Sequence, residues 1–408
     1  MMKIVEGGVA SPKGFETSSY EANIKYKNRK DMALIYSQAP CNMAGTFTTN
    51  IVKAACVLWD KDINESGNPV HAVIVNSGIA NACTGQQGYE YCNQTAQALS
   101  EVLPVKANEV LVASTGVIGM QLPIDKMVNG AKELAKIKEH SLEASIQSAK
   151  AIMTTDTKYK SIAVEVQLGG TTVTIGGMCK GSGMIHPNMC TMLCFITTDV
   201  SISKELLQEA LSNDIVDTYN MISVDGDTST NDTVLLLANG QANNPTITEK
   251  NEDYYTFCKA LHYINEQFAK KIAGDGEGAT ALVEAKVINA NTKEDARRMA
   301  KSIICSSLTK CAIYGHDANW GRILCAMGYS GTQFDPNHVE VSIADDNNTM
   351  LIFKDGNAVP YSEEEASKIL SQPTVYIIAD IKMGSQSATA YGCDLSHEYV
   401  NINADYRS

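Results

Sequence analysis

The chain has 408 residues, a formal net charge of −13, and 44% hydrophobic and 19% charged residues. That composition is typical of a soluble globular protein, and the length exceeds one ordinary core, so two or three domains are expected. The acidic balance excludes a broad nucleic-acid or anionic-membrane surface and leaves room for a local basic pocket that takes a small anion.

No apolar run approaches the ~20 residues that span a bilayer. The N-terminal Met1-Met2-Lys3-Ile4-Val5-Glu6 lacks the apolar core of a secretory signal, so a cytoplasmic location is expected. The twelve cysteines include no C-x-x-C pair. Cys190/Cys194 and Cys305/Cys311 match no zinc signature, so no metal is expected and the thiols read as small buried hydrophobes.

A Gly/Pro-rich opening, GGVASPKGF at 7–15, precedes strands predicted at 33–35, 54–57 and 71–75. The last strand ends in the polar run Asn76-Ser77-Gly78-Ile79-Ala80-Asn81, which suits binding groups and suits an ordinary strand-to-helix connection equally well. A helix is predicted over 86–102, then a strand over 109–113 followed by Ser114-Thr115-Gly116, then helices over 124–138 and 141–153. Strands over 161–167 and 171–175 flank Gly169-Gly170, the signature of a hairpin.

From residue 191 a strand runs to about residue 200, and Ser201 or Ser203 caps a helix over 203–211. Asp225-Gly226-Asp227-Thr228-Ser229-Thr230-Asn231-Asp232 hints at calcium by its acidic spacing but lacks the closing glutamate of a twelve-residue calcium loop. A strand over 234–237, a long helix over 253–272 and a strand over 280–287 follow. Thr292-Lys293-Glu294-Asp295 opens the next helix as a capping box. The remainder, through Tyr399 to Ser408, reads as strand-rich. The alternation predicts an α/β, layered fold and not a uniform parallel sheet.

The middle of the chain holds the most unusual composition. Met178-Cys179-Lys180-Gly181-Ser182-Gly183-Met184-Ile185-His186-Pro187-Asn188 is loop material that runs into the apolar, β-prone segment beginning at Thr191. A threonine becomes an effective nucleophile when an α-amino group beside it acts as base, and an internal threonine gains that amine only if the bond before it is cut. On spacing alone the plainer reading, a threonine that merely opens a strand, stands ahead. His186 and His316 are candidate bases, although a lone histidine is more often structural. Thr115-Gly116 offers a hydroxyl and a backbone N–H with little steric cover, of the kind that holds an oxyanion, although on its own the plainer reading, a strand-ending turn, stands ahead.

Taken together, GGVASPKGF at 7–15, VNSGIANACTG at 75–85, STGVIG at 114–119, MTTDT at 153–157, KGSGMIHPNMCTML at 180–193, DGDTSTND at 225–232, AGDGEGAT at 273–280, HDANWGRI at 316–323 and NADYRS at 403–408 are similar to the ornithine acetyltransferase (glutamate N-acetyltransferase) family of arginine biosynthesis. The resemblance covers nearly the whole chain. It implies an N-terminal-nucleophile-like αββα sandwich with an additional C-terminal α/β domain. It implies self-cleavage between Cys190 and Thr191, giving an α chain, 1–190, and a β chain whose first part, 191–275, completes the core and whose second part, 276–408, returns its tail to the active site.

The same resemblance assigns Thr191 as nucleophile, Thr115 and Gly116 as the oxyanion site, and Thr154, Lys180, Thr191, Glu277, Asn403 and Ser408 as substrate contacts. Acetyl would pass from N2-acetyl-L-ornithine to L-glutamate by a ping-pong route, with no cofactor and with acetyl-CoA compatible as a second donor. The expected partners are these small molecules and the protein's own α and β chains in an α2β2 heterotetramer, with neither nucleic acid nor membrane. An alternative in the same fold is a self-processed amidase or aminopeptidase with water as acceptor. Two positions depart from the family pattern: Cys190 replaces the usual alanine before the nucleophile, and Arg407 replaces a common small hydroxyl residue.

Overall fold

The computed structural model describes residues 2–186 and 192–404. The expected cleavage site, Cys190 and Thr191, and the expected substrate contact Ser408 lie outside the described residues. The elements run β1 (Lys3–Val5), β2 (Phe15–Tyr20), β3 (Met32–Phe47), α1 (Ala55–Ser66), β4 (Val70–Ile79), α2 (Gly85–Ser100), β5 (Val110–Val117), α3 (Ile124–Ile137) and α4 (Leu142–Ala151). There follow β6 (Lys160–Leu168), β7 (Thr171–Lys180), β8 (Leu193–Thr198), α5 (Lys204–Asp214), β9 (Ile222–Ser223), β10 (Thr233–Ala238), α6 (Glu252–Gly274), β11 (Leu282–Ala290) and α7 (Lys293–Cys305). The chain closes with α8 (Ser307–Tyr314), α9 (Trp320–Gly328), β12 (Glu340–Ala344), β13 (Thr349–Lys354), β14 (Asn357–Ala358), α10 (Glu363–Leu370), β15 (Thr374–Asp380), β16 (Gln386–Cys393) and α11 (His397–Ala404). The fold is mixed α/β with layered sheets, as expected. Among the described residues no helix is long and apolar enough to cross a membrane.

Two compact units share the chain. The first takes residues 1–181, 188–215 and 228–268, and the second takes 182–187, 216–227 and 269–408. In the first, the strands run β1-β6-β7-β8-β10-β3-β4-β5, with β2 also paired to β3. β3 is used twice. Its first half pairs with β2 and β4 and its second half with β10, and the β3–β4 register slips between Tyr36 and Cys41. Such a slip bends a strand, which lets one strand serve two sheet segments. A single apolar cluster extends from Leu34, Ile74 and Leu111 to Phe195 and Leu237, and takes in Trp59 and Ile63 of α1, Leu99 of α2 and Leu134 of α3. Gly169 and Gly170 both have positive φ, +55° and +79°, which closes the β6–β7 hairpin in a two-residue turn.

The second unit has a seven-stranded sheet in the order β14-β13-β12-β15-β11-β16-β9. Helix α7 packs on it through Ala296, Met299, Ala300 and Ile303, spaced at three or four residues. Thr292 caps that helix, accepting the Asp295 N–H at 3.0 Å.

Three local expectations change. The strand expected over 54–57 is the first turn of α1, where Cys56, Asp60 and Ile63, with Trp59, are buried at helical spacing; a four-residue window is too short to show that period. The loop expected from Asn76 is strand as far as Ile79, because β5 pairs alongside it. The tail from Tyr399 continues as helix α11, opened by the Ser396 hydroxyl accepting the Glu398 N–H at 3.2 Å.

Candidate active site

In the first unit, β7 ends at Lys180 and delivers its side chain to β5. The Lys180 Nζ donates to Thr115 Oγ1 at 3.3 Å, and each residue is only 8% exposed. An ammonium only donates, so the Thr115 oxygen is the acceptor and its own hydrogen remains able to point at something else. Next to it, Gly116 has φ +134°, and a Cβ there would stand 2.2 Å from the Gly78 carbonyl carbon. Only glycine fits, because the paired Gly78 backbone of β4 fills the space a side chain would take.

Asp156 organises the surroundings of Lys180. Its Oδ1 accepts from Lys160 Nζ at 2.7 Å and from the Gly181 N–H at 2.7 Å, and its Oδ2 accepts from the Thr154 N–H at 3.2 Å. Burial pushes this carboxyl up, but Lys180, Lys160 and the Gly181 N–H outweigh it and hold it below the usual carboxylate range. One carboxylate therefore balances two buried ammonium groups and fixes the backbone at two expected substrate contacts, Thr154 and the residue after Lys180. The β4–β5 end is braced in the same unit by Asn231, which donates to the Ala80 and Ser114 carbonyls at 2.5 and 2.8 Å, and by Ser114 Oγ bonded to Asn76 Oδ1 at 2.7 Å.

In the second unit, Glu277 is 7% exposed and accepts from Asn403 Nδ2 at 2.8 Å, which places α11 against the 274–278 loop. The Glu277 N–H donates to the Ser182 carbonyl at 3.0 Å. A Cβ on Gly183 would lie 2.4 Å from the Glu277 carboxylate, so the glycine lets the chain pass beside that charge. The next residues are tied down by Asp225, which accepts the N–H groups of Met184 at 2.6 Å, Ile185 at 2.8 Å and Asp227 at 3.2 Å. The calcium hint of the 225–232 loop thus meets a carboxylate already engaged with backbone donors.

His186 lies half-buried with Nδ1 3.1 Å from Ser223 Oγ and 3.6 Å from Cys305 Sγ. Burial, then the Lys301 charge, pulls its pKa down to about 4, so it is neutral at ordinary pH. His316 is exposed in a turn with φ +52°.

The structure therefore brings Thr115, Gly116, Lys180 and Thr154 into one neighbourhood of the first unit, and Glu277 and Asn403 into contact in the second. Thr191 and Ser408 lie outside the described residues. Sequence reading missed Asp156, although it lies inside MTTDT; the available signal was an acid four residues before Lys160 in a loop feeding a buried hairpin. It also missed Asn76 and Asn231 as braces.

Residues 16–408 match the model of the ArgJ family. The chain is 50% identical over 394 residues to the arginine biosynthesis bifunctional protein ArgJ 1 of Clostridium acetobutylicum, covering 97% of this chain and 96% of that one. It is 47% identical over 407 residues to the arginine biosynthesis bifunctional protein ArgJ of Caldanaerobacter subterraneus subsp. tengcongensis, covering 100% of both. A crystal structure of the arginine biosynthesis bifunctional protein argJ of Bacillus halodurans superposes with a TM-score of 0.50 at 45% identity, covering 52% of this chain and 99% of that one. With identity of this order along nearly the full length of its relatives, the chain is an enzyme belonging to the ArgJ family.

Proposed function

We propose that the chain transfers acetyl from N2-acetyl-L-ornithine to L-glutamate through an acetyl-Thr191 intermediate, after cutting its own Cys190–Thr191 bond. The observation that carries the reading is the buried Lys180–Thr115 bond beside Gly116, a position that admits no side chain. Lys180 polarises the Thr115 hydroxyl as a donor, and that hydroxyl and the Gly116 N–H form the oxyanion site.

In the cleavage step the Thr191 hydroxyl attacks the Cys190 carbonyl, the peptide nitrogen takes the proton, and water then opens the resulting ester. This leaves a free amine on Thr191. That amine accepts the hydroxyl proton when Oγ attacks the acetyl carbonyl of acetylornithine and passes it to the departing ornithine amine. The glutamate amine reverses the sequence. Lys180 faces the substrate carboxylate as a compact charge. Thr154 adds a polar contact, Glu277 meets an ammonium group, and Asn403 and Ser408 complete the substrate contacts. The processed halves, 1–190 and 191–408, remain together as an α2β2 assembly.

Half-length support comes from the Bacillus halodurans relative, whose crystal chain matches over 99% of its own length yet covers 52% of this chain. The segment from residue 191 to the end is likewise a little over half of the chain. The relatives' description as bifunctional supports acetyl-CoA as a second acetyl donor.

Mass spectrometry of purified protein tests the reading. Fragments beginning at Met1 and Thr191 are expected, and Thr191→Ala should leave the chain intact and without acetyl exchange. An intact wild-type chain turning over at full rate would overturn it.

A further inference from the structure

The chain is acidic overall, yet it contains the run Lys25-Tyr26-Lys27-Asn28-Arg29-Lys30. In the first unit this run borders a cavity of about 680 Å³ that also takes residues from α4 and from the 153–159 loop. Four cationic side chains line it: Arg29, Lys30, Lys150 and Lys158. Its acid among the lining residues is Asp156, which is already matched by Lys160 and Lys180. Among the described residues Arg29, Lys30 and Lys150 form no ion pair with a carboxylate.

Two aromatic rings flank the same basic groups. The Arg29 guanidinium sits 4.6 Å from the Tyr26 ring centre, and the Lys150 ammonium sits 5.3 Å from that of Tyr159. Arg29 is further held by its bond to the Met153 carbonyl at 2.6 Å, so its position is set by the loop that carries Thr154.

We propose that this cavity binds the phosphates of a coenzyme A thioester, with the exposed Tyr159 ring offered to the adenine. The inference rests on the acetyl-transfer reading above and gives its second donor a place. A single substrate carboxylate needs one cation, and Lys180 supplies it. Arg29, Lys30 and Lys150, without a carboxylate at ion-pair distance among the described residues, match a multiply charged ligand in a concavity of ligand size, and guanidinium and ammonium groups are the usual phosphate partners. Thr154 and Asp156 line the cavity, and Asp156 bonds the Gly181 N–H next to Lys180. Asp156 thus joins the cavity wall to the backbone beside Lys180, and the flexible arm of the thioester would extend along it. In the transfer the thioester C–S bond breaks, an ester bond to the Thr191 oxygen forms, and the hydroxyl proton ends on the released thiol.

The test uses the full processed protein and the double variant Lys30→Glu/Lys150→Glu, both at exposed positions. Three readouts are taken: glutamate acetylation by acetyl-CoA, acetyl exchange between acetylornithine and glutamate, and calorimetric binding of coenzyme A. The variant should raise the KM for acetyl-CoA and weaken coenzyme A binding about tenfold or more, which is about 1.4 kcal/mol or more. Exchange from acetylornithine should stay within about twofold, since neither lysine is among its substrate contacts and their charges are screened by solvent. Unchanged coenzyme A affinity, or equal loss with both donors, would overturn the proposal. So would a wild-type enzyme that exchanges acetyl but binds no coenzyme A. Inorganic phosphate that displaces coenzyme A at equal concentration would reassign the cavity to free phosphate. A wild type that binds coenzyme A through these lysines but exchanges no acetyl from acetylornithine would sink the functional reading and leave the cavity assignment standing.

Discussion

Gly181 donates its backbone N–H to the Asp156 carboxylate at 2.7 Å, and this bond fixes the direction in which the chain leaves Lys180. The same oxygen holds the Lys160 ammonium at 2.7 Å, with both side chains almost fully shielded from solvent. Asp156 is thus the common partner of two buried cations and two backbone donors. Its removal uncovers charges that have no route back to water.

Asp156→Asn should destabilise the protein by about 3 kcal/mol or more, the usual cost of leaving a buried charge uncompensated. The sign with pH follows from the lowered pKa of this carboxyl. Its contribution is present above the unfolded value and is lost as pH falls below about 4 and through the folded value. Denaturation of wild type and variant across pH should show a constant gap near neutrality that closes in acid. A gap independent of pH down to the acid limit would contradict the role.

Thr115→Val removes the hydroxyl and keeps the shape. It should lower kcat by about a hundredfold, the typical effect of losing one oxyanion donor, with a smaller change in KM. Thr115→Ser should retain most of the activity. Steady-state exchange kinetics with acetylornithine and glutamate decide this, and a Val variant with normal kcat would remove Thr115 from the chemistry.

How much of this was legible beforehand depends on the range of the interaction. The β6–β7 hairpin was written locally, in Gly169-Gly170 between alternating strands, and the structure reproduces it. The caps Ser203 and Thr292 were likewise local. The Lys180–Thr115 contact joins residues 65 positions apart, and no spacing encodes it; Thr115 stands out by its own hydroxyl beside a glycine and Lys180 by motif resemblance, with nothing local to link the two. Asp156 lay within a quoted motif but showed its importance only when folding brought Gly181 to it across 25 positions. The helix at Ala55–Ser66 was misread because its first residues are small and apolar, which suits strand and helix alike; the later positions Trp59 and Ile63 decide it.

His186 is conspicuous in the glycine loop, but it is not expected to set the pH dependence of turnover. Burial lowers its pKa to about 4. A base formed by the Thr191 amine would give an acid limb near the α-amino range, about 7.7–8.0 before environmental shifts. His186→Gln should leave that limb in kcat/KM where it is. It should also change acid stability. The buried neutral histidine costs the fold progressively as pH falls from about 6.5 toward its folded value, so the variant's stability should decline less over that window. Movement of the kinetic limb in the variant would return His186 to the chemistry.

Asn403 and Glu277 allow a sharper test because the contact can be removed or reversed. Asn403 Nδ2 meets Glu277 Oε2 at 2.8 Å and also bonds the Tyr399 carbonyl at 2.9 Å within α11. Asn403→Ala deletes both bonds, of which the one to the Glu277 carboxylate, from an exposed residue, contributes about 1 kcal/mol. Asn403→Asp puts a second carboxylate against the first, where like charges resist joint ionisation and one of the two pKa values rises. The Asp variant should therefore be the weaker enzyme at neutral pH and recover part of its substrate affinity as pH falls and the pair takes up a proton. The Ala variant should show a raised KM without that recovery. Measuring KM for glutamate from pH 5 to 8 in both variants separates a role in shaping the Glu277 charge from simple packing of the helix. Parallel pH profiles for the two would leave only the packing role.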